Sequence, residues 1–303
     1  MKKVVFFIIL FLSFNSFVFA QEIILTNKII ELEEIKGYGL QGFTTTDKYL
    51  FAVLVGENDS KSIIKVFDLK TYEEIKEIKG SSLGHANDVT FNSKNNRIYI
   101  LASSGSSKMF EFDAEQFSYI QTIDLGMPAR SITYIDDEDR YAIRLITSGF
   151  LTDSSFIFEK FPFILGMNAE YDVGRQGWAY YNKFIYYANW SWVRRGGTGD
   201  NTIIIYDLNG NRIDKLVTDS STGEIEDIAF YNSKMILGFN GYDHKIKFYL
   251  EDIPPIEQKE EALTIEQDDI KKTDNNGYYI FILCVLIIFV PFIYYFIRKK
   301  TSK

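Results

Sequence analysis

The chain has 303 residues, of which 46% are hydrophobic and 24% charged, and 33 basic against 41 acidic residues give a formal net charge of −8 at pH 7. The acidic balance argues against nucleic acid as a partner. One cysteine excludes an internal disulfide, and two histidines leave a zinc site without ligands, so we expect no metal and no cofactor.

The first twenty residues have the pattern of a secretory signal peptide. Lys2 and Lys3 precede an apolar run over residues 4–12, and a polar break is followed by a small residue, Ala20. The alternative is a short membrane anchor, but an apolar core of about ten residues is too short to cross a hydrocarbon layer of about 30 Å as a helix. We therefore expect a signal peptide over residues 1–20, with cleavage after Ala20.

Five similar segments follow at nearly constant spacing. Their first residues are 46, 43, 46 and 50 positions apart, and each segment precedes a tight polar turn and a second β-branched or aromatic run. This pattern is typical of a hairpin repeated five times. The segments are residues 41–45, 87–91, 130–134, 176–180 and 226–230.

A second repeat follows each hairpin with the same period. Its members end 45, 46, 48 and 42 residues apart, and the first four end in an acid that can bond the backbone of the next turn, as Asp207 does. A fourth strand follows, as at residues 73–78 and 118–123, and four strands per unit make one propeller blade. The third strands are expected at residues 66–68, 110–113, 156–159, 205–207 and 247–249.

The fifth unit stops near Asp252, before it has room for a fourth strand. Residues 22–35 precede the first repeat and have strand character, so we expect them to supply the missing outer strand and close the ring. The sequence thus predicts an all-β fold, a five-bladed β-propeller over residues 21–253 whose N-terminal strand closes the last blade. A β-sandwich and an open run of hairpins are the alternatives.

The C-terminal part predicts attachment to a membrane. Residues 254–277 form an acidic stalk, residues 278–297 are an uncharged run long enough for one transmembrane helix, and residues 298–303 form a short basic tail. By the positive-inside rule the tail is cytoplasmic, so the propeller is extracellular on a single-pass protein of the cell membrane, with the lipid bilayer as a partner. Without the signal peptide and the tail, 27 basic residues face 41 acidic ones, a formal charge of −14. A glycolipid-anchor signal is disfavoured because the chain continues into a charged tail.

The two ends of the predicted ring differ. One end, the turn face, carries the short turns between first and second strands. The other end, the looped face, carries longer loops rich in Gly and Ser, where binding residues concentrate. The looped face comprises the loops at residues 56–62, 80–86, 103–108, 126–129, 148–155, 174–175, 189–201, 220–225 and 240–244.

The first residue of each innermost strand is expected at the channel mouth on the looped face, and all five are polar. Amides, one guanidinium and carboxylates in such a ring suit a ligand rich in hydroxyl or amide groups. The alternative is that they bond loops and channel water. The candidate ligand-binding residues are Gln41, Asn87, Arg130, Gln176 and Glu226, with His85 and Arg175 beside them.

The loop over residues 189–200 holds two tryptophans near arginines. Trp190, Trp192 and Arg194 are therefore candidate ligand-binding residues, because exposed indoles stack on sugar rings or anchor protein partners. The alternative is that both indoles pack down onto neighbouring blades.

Four consecutive acids at residues 136–139 suggest a cation site at first sight. They lie in a tight turn on the turn face and lack the alternating oxygen-ligand spacing of calcium loops, so we interpret them as a solvated turn.

The Gln-Gly-aromatic starts at Gln41 and Gln176, the stretch at residues 83–91 and the Glu-Ile-Glu start at Glu224 resemble secreted bacterial propellers of the helveticin J-like and YVTN-repeat type. The resemblance covers the repeat region and implies a cell-surface or cell-wall setting. Helveticin-like proteins lack such an anchor, which puts a bacteriocin role in doubt.

Two functions remain open from the sequence. The first is a non-catalytic binding module for a glycan, an envelope polymer or a protein. The second, by comparison with five-bladed glycoside hydrolases, is a hydrolase or lyase using Asp88, Glu226 and Asp227 at the channel mouth. Six-bladed sugar lactonases hold a divalent ion with acid and amide side chains. In this chain only Asn87 and Glu226 match such a set of ligands.

Overall fold

The computed structural model describes residues 20–56, 59, 61–81, 83–86, 88–102, 106–145, 149–156, 162–163, 175–190 and 199–256. Within these residues no helix is long and apolar enough to cross a membrane. The predicted signal peptide up to residue 19, the stalk from residue 257, the transmembrane span and the basic tail lie outside them and stay predictions.

Two N-terminal strands precede five consecutive groups of strands, and each group forms one antiparallel sheet, or blade. The N-terminal strands are β1 (Gln21–Ile23) and β2 (Lys28–Leu32). Blade 1 consists of β3 (Tyr38–Thr45), β4 (Tyr49–Gly56), β5 (Ser62–Asp68) and β6 (Glu74–Ser81). Blade 2 consists of β7 (Asp88–Asn92), β8 (Arg97–Leu101), β9 (Lys108–Asp113) and β10 (Ser118–Asp124).

Three further blades complete the set. Blade 3 consists of β11 (Ser131–Ile135), β12 (Arg140–Arg144), β13 (Gly149–Thr152) and β14 (Pro162–Phe163). Blade 4 consists of β15 (Arg175–Tyr181), β16 (Phe184–Trp190), β17 (Asn201–Asp207) and β18 (Arg212–Thr218). Blade 5 consists of β19 (Gly223–Tyr231), β20 (Lys234–Gly241) and β21 (Ile246–Asp252), and a 3-10 helix at Ser220–Thr222 leads into it.

The blades form a closed ring. The innermost strands β3, β7, β11, β15 and β19 contact one another in a cycle that returns to its start. The fourth strand of blade 5 is β2, which pairs antiparallel with β21. The prediction of a five-bladed propeller closed by an N-terminal strand is therefore confirmed, although the closing strand is shorter than the predicted segment 22–35.

The start of that segment does something the sequence did not predict. Strand β1 pairs parallel with β18 and adds a fifth strand to blade 4. Between β1 and β2 the Glu251 carboxylate accepts the N–H groups of Thr26 and Asn27 at 2.6 and 2.9 Å. The N-terminal segment thus ties blade 4 to blade 5.

Blade 3 departs from the predicted repeat. Its third strand is β13, at residues predicted to form the loop 148–155, whereas the predicted third strand began at Phe156. Phe156 instead has a positive φ of 51° after a turn in which the Asp153 carboxylate accepts the Ser155 N–H, and its ring packs on Tyr141 at 4.9 Å between centroids. Phe156 therefore supplies a core contact and the third strand lies earlier in the chain, while residues 157–159 of the predicted strand lie outside the described residues.

Packing between blades forms the core. Each of five apolar clusters lies between two neighbouring blades, as where Phe43 of blade 1 meets Phe248 of blade 5 edge to face at 5.1 Å. The predicted acids at the ends of third strands do bond the following turns, since Asp68, Asp113 and Asp207 each accept two backbone N–H groups. These bonds stabilise the turns that join the third strand of a blade to its fourth.

Candidate functional site: the channel mouth on the looped face

The innermost strands bring most of the predicted ring residues to the looped end of the channel. Three of them lie at irregularities in strand pairing, where the innermost strand has an extra residue: Gln41, Gln176 and Glu226. A fourth, Arg130, directly precedes β11. Such bulges redirect side chains out of the regular alternation of a strand. Asn87, Trp192 and Arg194 lie outside the described residues, and for Arg175 the backbone alone is described.

Beneath the mouth, two aspartates bond one backbone N–H from every blade. Asp88 accepts the N–H groups of Val89, Ile132 and Trp178 at 2.8, 2.9 and 3.4 Å. Asp227 accepts those of Phe43 and Ile228 at 2.8 and 2.7 Å. We call these two carboxylates and five N–H groups the aspartate layer. It satisfies donors that the innermost strands, lacking an inner neighbour, would otherwise leave unpaired.

The glycines of the Gln-Gly starts make room for this layer. A Cβ added to Gly177 would lie 1.9 Å from the Asp227 Oδ1, and one added to Gly42 would lie 3.2 Å from the Asp88 Cα. The two glycines and two aspartates thus occupy equivalent places in the repeat, and each glycine packs against the aspartate of the next blade.

Burial dominates the titration of the layer. Both aspartates are fully buried, and burial raises the pKa of each well above its ordinary value. For Asp227 the negative charge of Asp88 raises the pKa further, while the bonded N–H groups and Arg144 counter the rise for Asp88. Because both oxygens of each carboxylate accept backbone N–H groups, the two aspartates join the innermost strands of all five blades.

Above the layer, blade 5 supplies a pair of glutamates. Glu226 accepts a hydrogen bond from the Asn240 amide at 2.5 Å, and Glu224 accepts one from the Gln176 amide at 2.7 Å. Burial raises the pKa of Glu224 to about 7, and burial together with the charge of Glu224 raises that of Glu226 well above its ordinary value. Both carboxylates therefore take up a proton more readily than an exposed glutamate does, and a protonated carboxyl group can donate a hydrogen bond as well as accept one.

Asn240 also fixes the neighbouring blade. Its Oδ1 accepts the Leu40 N–H at 2.8 Å and its Nδ2 donates to the Leu40 carbonyl at 3.0 Å. The predicted residue Gln41 follows Leu40 and donates to the same carbonyl at 3.1 Å. On this side of the mouth the amide side chains therefore bond the backbone of blade 1.

Blade 3 supplies the basic side of the mouth. Arg144 ends β12 opposite Ser131, whose hydroxyl accepts from its Nε and Nη2 at 3.1 and 2.7 Å, and its guanidinium lies 5.0 Å from the centre of the Tyr187 ring. Arg144 is 1% exposed, and its Nη1 finds no acceptor in the structure as described. Arg130 likewise has a buried Nε with no acceptor there.

Two predicted residues lie at the margin of the site. His85 pairs through its Nδ1 with the Asp59 carboxylate at 2.8 Å, with 43% of the side chain exposed. Trp190 donates its indole N–H to the Gly199 carbonyl at 3.2 Å and packs on the apolar cluster between blades 4 and 5. Trp190 thus follows the alternative in which the indole packs down.

Arg144, Asn240 and Tyr187 were not predicted from the sequence. All three lie on the second strands of their blades, whereas the repeated segments in the sequence mark the first and third strands. A signal existed for Arg144, because the equivalent places opposite Gly42, Asp88 and Asp227 hold Val53, Leu101 and Gly238. A charge in an otherwise apolar or small column of the repeat marks this position.

The turn-face end of the channel is different. A cavity of about 110 Å³ lies there, bordered by threonines and aromatic residues of the innermost strands. The hydroxyls of Thr90 and Thr133 accept the N–H groups of Tyr134 and Tyr180 at 2.9 and 2.8 Å. Each threonine hydroxyl thus accepts one N–H from the next blade, whereas the aspartates above them accept two or three N–H groups each. The space that remains has room for a few water molecules.

The acidic turn at residues 136–139 is engaged with its neighbours. Asp139 pairs with Lys94 and accepts from the Tyr134 hydroxyl at 2.8 Å, and Asp137 accepts from the Tyr180 hydroxyl at 2.8 Å. Among the described residues, no group of three or more His, Cys, Asp or Glu side chains is placed to hold a metal ion.

Comparisons with known proteins show no family for this chain. No family model matches the chain, and no curated protein matches it. Solved structures that resemble it include a chain of the mitotic checkpoint complex (10% identity, TM-score 0.42, covering 73% of this chain and 80% of that one). Another is Kuenenia stuttgartiensis hydrazine synthase, with 11% identity and a TM-score of 0.40, covering 68% of this chain and 57% of that one. A third is the WD40 repeats of RRP9, with 12% identity and a TM-score of 0.41, covering 70% of this chain and 60% of that one. The chain spans less than two thirds of the latter two.

Proposed function

We propose that this propeller is an extracellular binding module, held at the cell membrane by the C-terminal helix, that takes up a glycan, an envelope polymer or a protein ligand at its looped face. The propeller fold is consistent with a ligand-binding module. The observation that carries the proposal is the contrast between the saturated carboxylates of the aspartate layer and the incompletely bonded polar groups of the mouth above it.

Hydrogen-bonding capacity at the mouth supports binding. Each glutamate of the Glu224 and Glu226 pair uses one oxygen toward an amide, and within the part of the chain that the structure covers the second oxygen has no protein partner. Two guanidiniums on the other side have donors to spare. Buried polar groups are costly when unpaired, so a ligand with hydroxyl, amide or acidic groups gains affinity by completing these bonds.

The same contacts weigh against the catalytic alternative in its Asp88 and Asp227 form. A general acid or base must come within hydrogen-bond reach of the substrate, directly or through one water. Both oxygens of Asp88 and both oxygens of Asp227 already accept backbone N–H groups, five in all, so neither carboxylate has an oxygen left for a substrate. An enzyme in this place would have to use Glu224 and Glu226, whose pKa values burial raises.

The location in the proposal comes from the sequence. A signal peptide over residues 1–20 and an uncharged run over residues 278–297 with a basic tail agree on one orientation. In that orientation protease added to intact cells removes the propeller and leaves the basic tail protected. Protection of the propeller in intact cells would contradict it.

The binding proposal is tested with the full chain in mild detergent against soluble envelope polysaccharides and neutral and acidic oligosaccharides. We expect Gln176→Ala and Glu226→Gln to weaken binding about tenfold or more, the loss typical of a buried polar contact. Lys183→Ala, in the exposed turn at the other end of blade 4, is the matched control and should bind as the wild type does.

Three outcomes decide the matter. Loss of binding in the mouth variants alone supports the module. Equal weakening by Lys183→Ala, or binding that no mouth variant changes, contradicts the looped face as the site. Product released from any saccharide by the wild type and not by Glu226→Gln would replace the module with an enzyme.

A further inference from the structure

Arg144 is a buried cation with an unused donor. It is almost completely enclosed between blades 3 and 4, and its three polar nitrogens are divided unevenly, since Nε and Nη2 share the Ser131 hydroxyl while Nη1 has no acceptor among the described residues. A guanidinium remains charged under all ordinary conditions. Leaving one of its donors unpaired in a buried place costs free energy that a bound acceptor recovers.

Arg130 adds a second guanidinium beside the first. Its backbone N–H donates to the Arg144 carbonyl at 2.7 Å, so the two residues are neighbours across β11 and β12. Burial, and then the positive charge of Arg144, lower the pKa of Arg130, as expected for two like charges placed close together. Two adjacent cations without a carboxylate between them form a site that an anion stabilises.

The nearby aspartate does not fill that role. The positive charge of Arg144 lowers the pKa of Asp88, but the Asp88 oxygens accept the N–H groups of Val89, Ile132 and Trp178 and none of the guanidinium donors. In the described part of the chain neither arginine forms an ion pair. The positive charge of the pair is thus left for a group that comes from outside.

The surroundings favour an oxyanion over a simple surface ion. Planar guanidiniums bind carboxylates, phosphates and sulfates through two parallel hydrogen bonds, and these bonds strengthen away from water. The Tyr187 ring under Arg144 holds the guanidinium plane in place. Across the mouth lie Glu224 and Glu226, which disfavour a second anionic group on the ligand and suit its hydroxyls or amides.

We propose that Arg130 and Arg144 form an oxyanion subsite of the looped mouth, so that the ligand carries one carboxylate, phosphate or sulfate group beside a neutral polar portion. This inference rests on the proposed binding function and narrows it to acidic glycans and to phosphorylated or sulfated envelope polymers. The subsite specifies the orientation of the ligand, with its anionic end toward blade 3 and its hydroxyl or amide end toward blade 5.

The experiment compares glucuronate with methyl glucoside, two sugars that differ in the acidic group, by calorimetric titration of the full chain in mild detergent at fixed ionic strength. We expect glucuronate to bind at least about tenfold more tightly, since a charge-assisted bidentate pair is worth more than a neutral contact. Arg130→Gln should remove the difference. Arg140→Gln, at the turn-face end of the same β12 strand, should retain it.

A second measurement covers the case in which these sugars are too small to bind. Sulfate should raise the midpoint of thermal unfolding of the wild type and of Arg140→Gln above that in chloride at equal ionic strength, and raise that of Arg130→Gln less. The general stabilisation of proteins by sulfate acts on all three alike. Equal shifts in the three proteins would overturn the subsite. Arg144→Gln is reserved as a confirming variant, because loss of a buried residue can unfold the ring by itself.

Failure of the subsite and failure of the binding function are distinguishable. Equal affinity for the two sugars, with binding that Gln176→Ala weakens, leaves the module in place and overturns the oxyanion subsite. A selective effect of sulfate in the wild type, without binding of any polysaccharide, supports the subsite and contradicts the glycan or polymer ligand.

Discussion

The aspartate layer and the looped mouth use the same kinds of residues in opposite ways. In the layer, Asp88 and Asp227 are buried and fully bonded to peptide groups of all five blades. In the same repeat, Glu226 is buried beside Asp227 and Arg130 is half-buried in blade 3, and one Glu226 oxygen and the Arg130 Nε have no protein partner among the described residues. The position of an ionisable residue at the channel therefore says little about its role, whereas the count of its hydrogen-bond partners says much. Three predictions test this contrast.

The largest effect is expected for Asp88→Ala. It leaves three buried N–H groups in three blades without an acceptor, and at about 1 to 3 kcal/mol each we expect a loss of roughly 4 kcal/mol in the free energy of unfolding. Chemical denaturation measures it. Asp88→Asn keeps an acceptor oxygen and should lose clearly less. If Asp88→Ala instead unfolds like the wild type but loses ligand binding, the layer belongs to the site and the contrast is wrong.

A somewhat smaller effect is expected for Gly177→Ala. The added methyl would lie 1.9 Å from the Asp227 Oδ1, a carboxylate that two N–H groups hold in place, so strand β15 or the aspartate must move. We expect a loss of about 3 kcal/mol, the upper part of the range for overpacking. Gly39→Ala is the control, because its methyl would meet the Asn240 amide at an ordinary 3.4 Å. Equal stability of the two variants would show that the layer tolerates displacement.

The smallest effect is a pH dependence located at the mouth. Burial raises the pKa of Glu224 from 4.5 to about 7, so the folded state holds a proton that the unfolded chain releases. This contribution to stability is complete below pH 4.5 and is lost as the pH rises through 7. Glu224→Gln should therefore gain roughly 2 kcal/mol of stability relative to the wild type between pH 5 and pH 8, measured by denaturation at both values. A constant difference would contradict the buried, protonated glutamate.

The fold was accessible from the sequence because its repeat is carried by local signals. The segments beginning at Gln41 and Glu226 combine a small or acidic second residue with aromatic residues and a tight turn, and their spacing indicates the number of blades. Blade 3 shows the limit of this reasoning. Two apolar runs near Phe156 satisfy the strand pattern equally, and the choice between them depends on core packing around Tyr141, which no local signal contains.

The sequence predicts which residues lie at the channel mouth, but it does not predict their hydrogen-bond partners. First residues of innermost strands are placed at the mouth by topology, so Arg130, Gln176 and Glu226 could be named in advance. Whether a side chain is saturated depends on neighbours from other blades. Asp88 bonds Trp178, 90 positions away, and Asn240 bonds Leu40, 200 positions away. Those pairings follow from ring closure and could not be derived from spacing along the chain.

The pairing of β2 with β21 also sets the order of events in synthesis. Strand β2 emerges from the ribosome among the first residues of the domain, yet its partner spans Ile246–Asp252 at the far end. Blades 1 to 4 can form their hairpins as they emerge, but the ring cannot close until the last strand has been made. Until then an unpaired strand and an open blade are exposed together. A chain truncated before Ile246 therefore lacks strand β21 and with it the pairing of β2 that closes the ring.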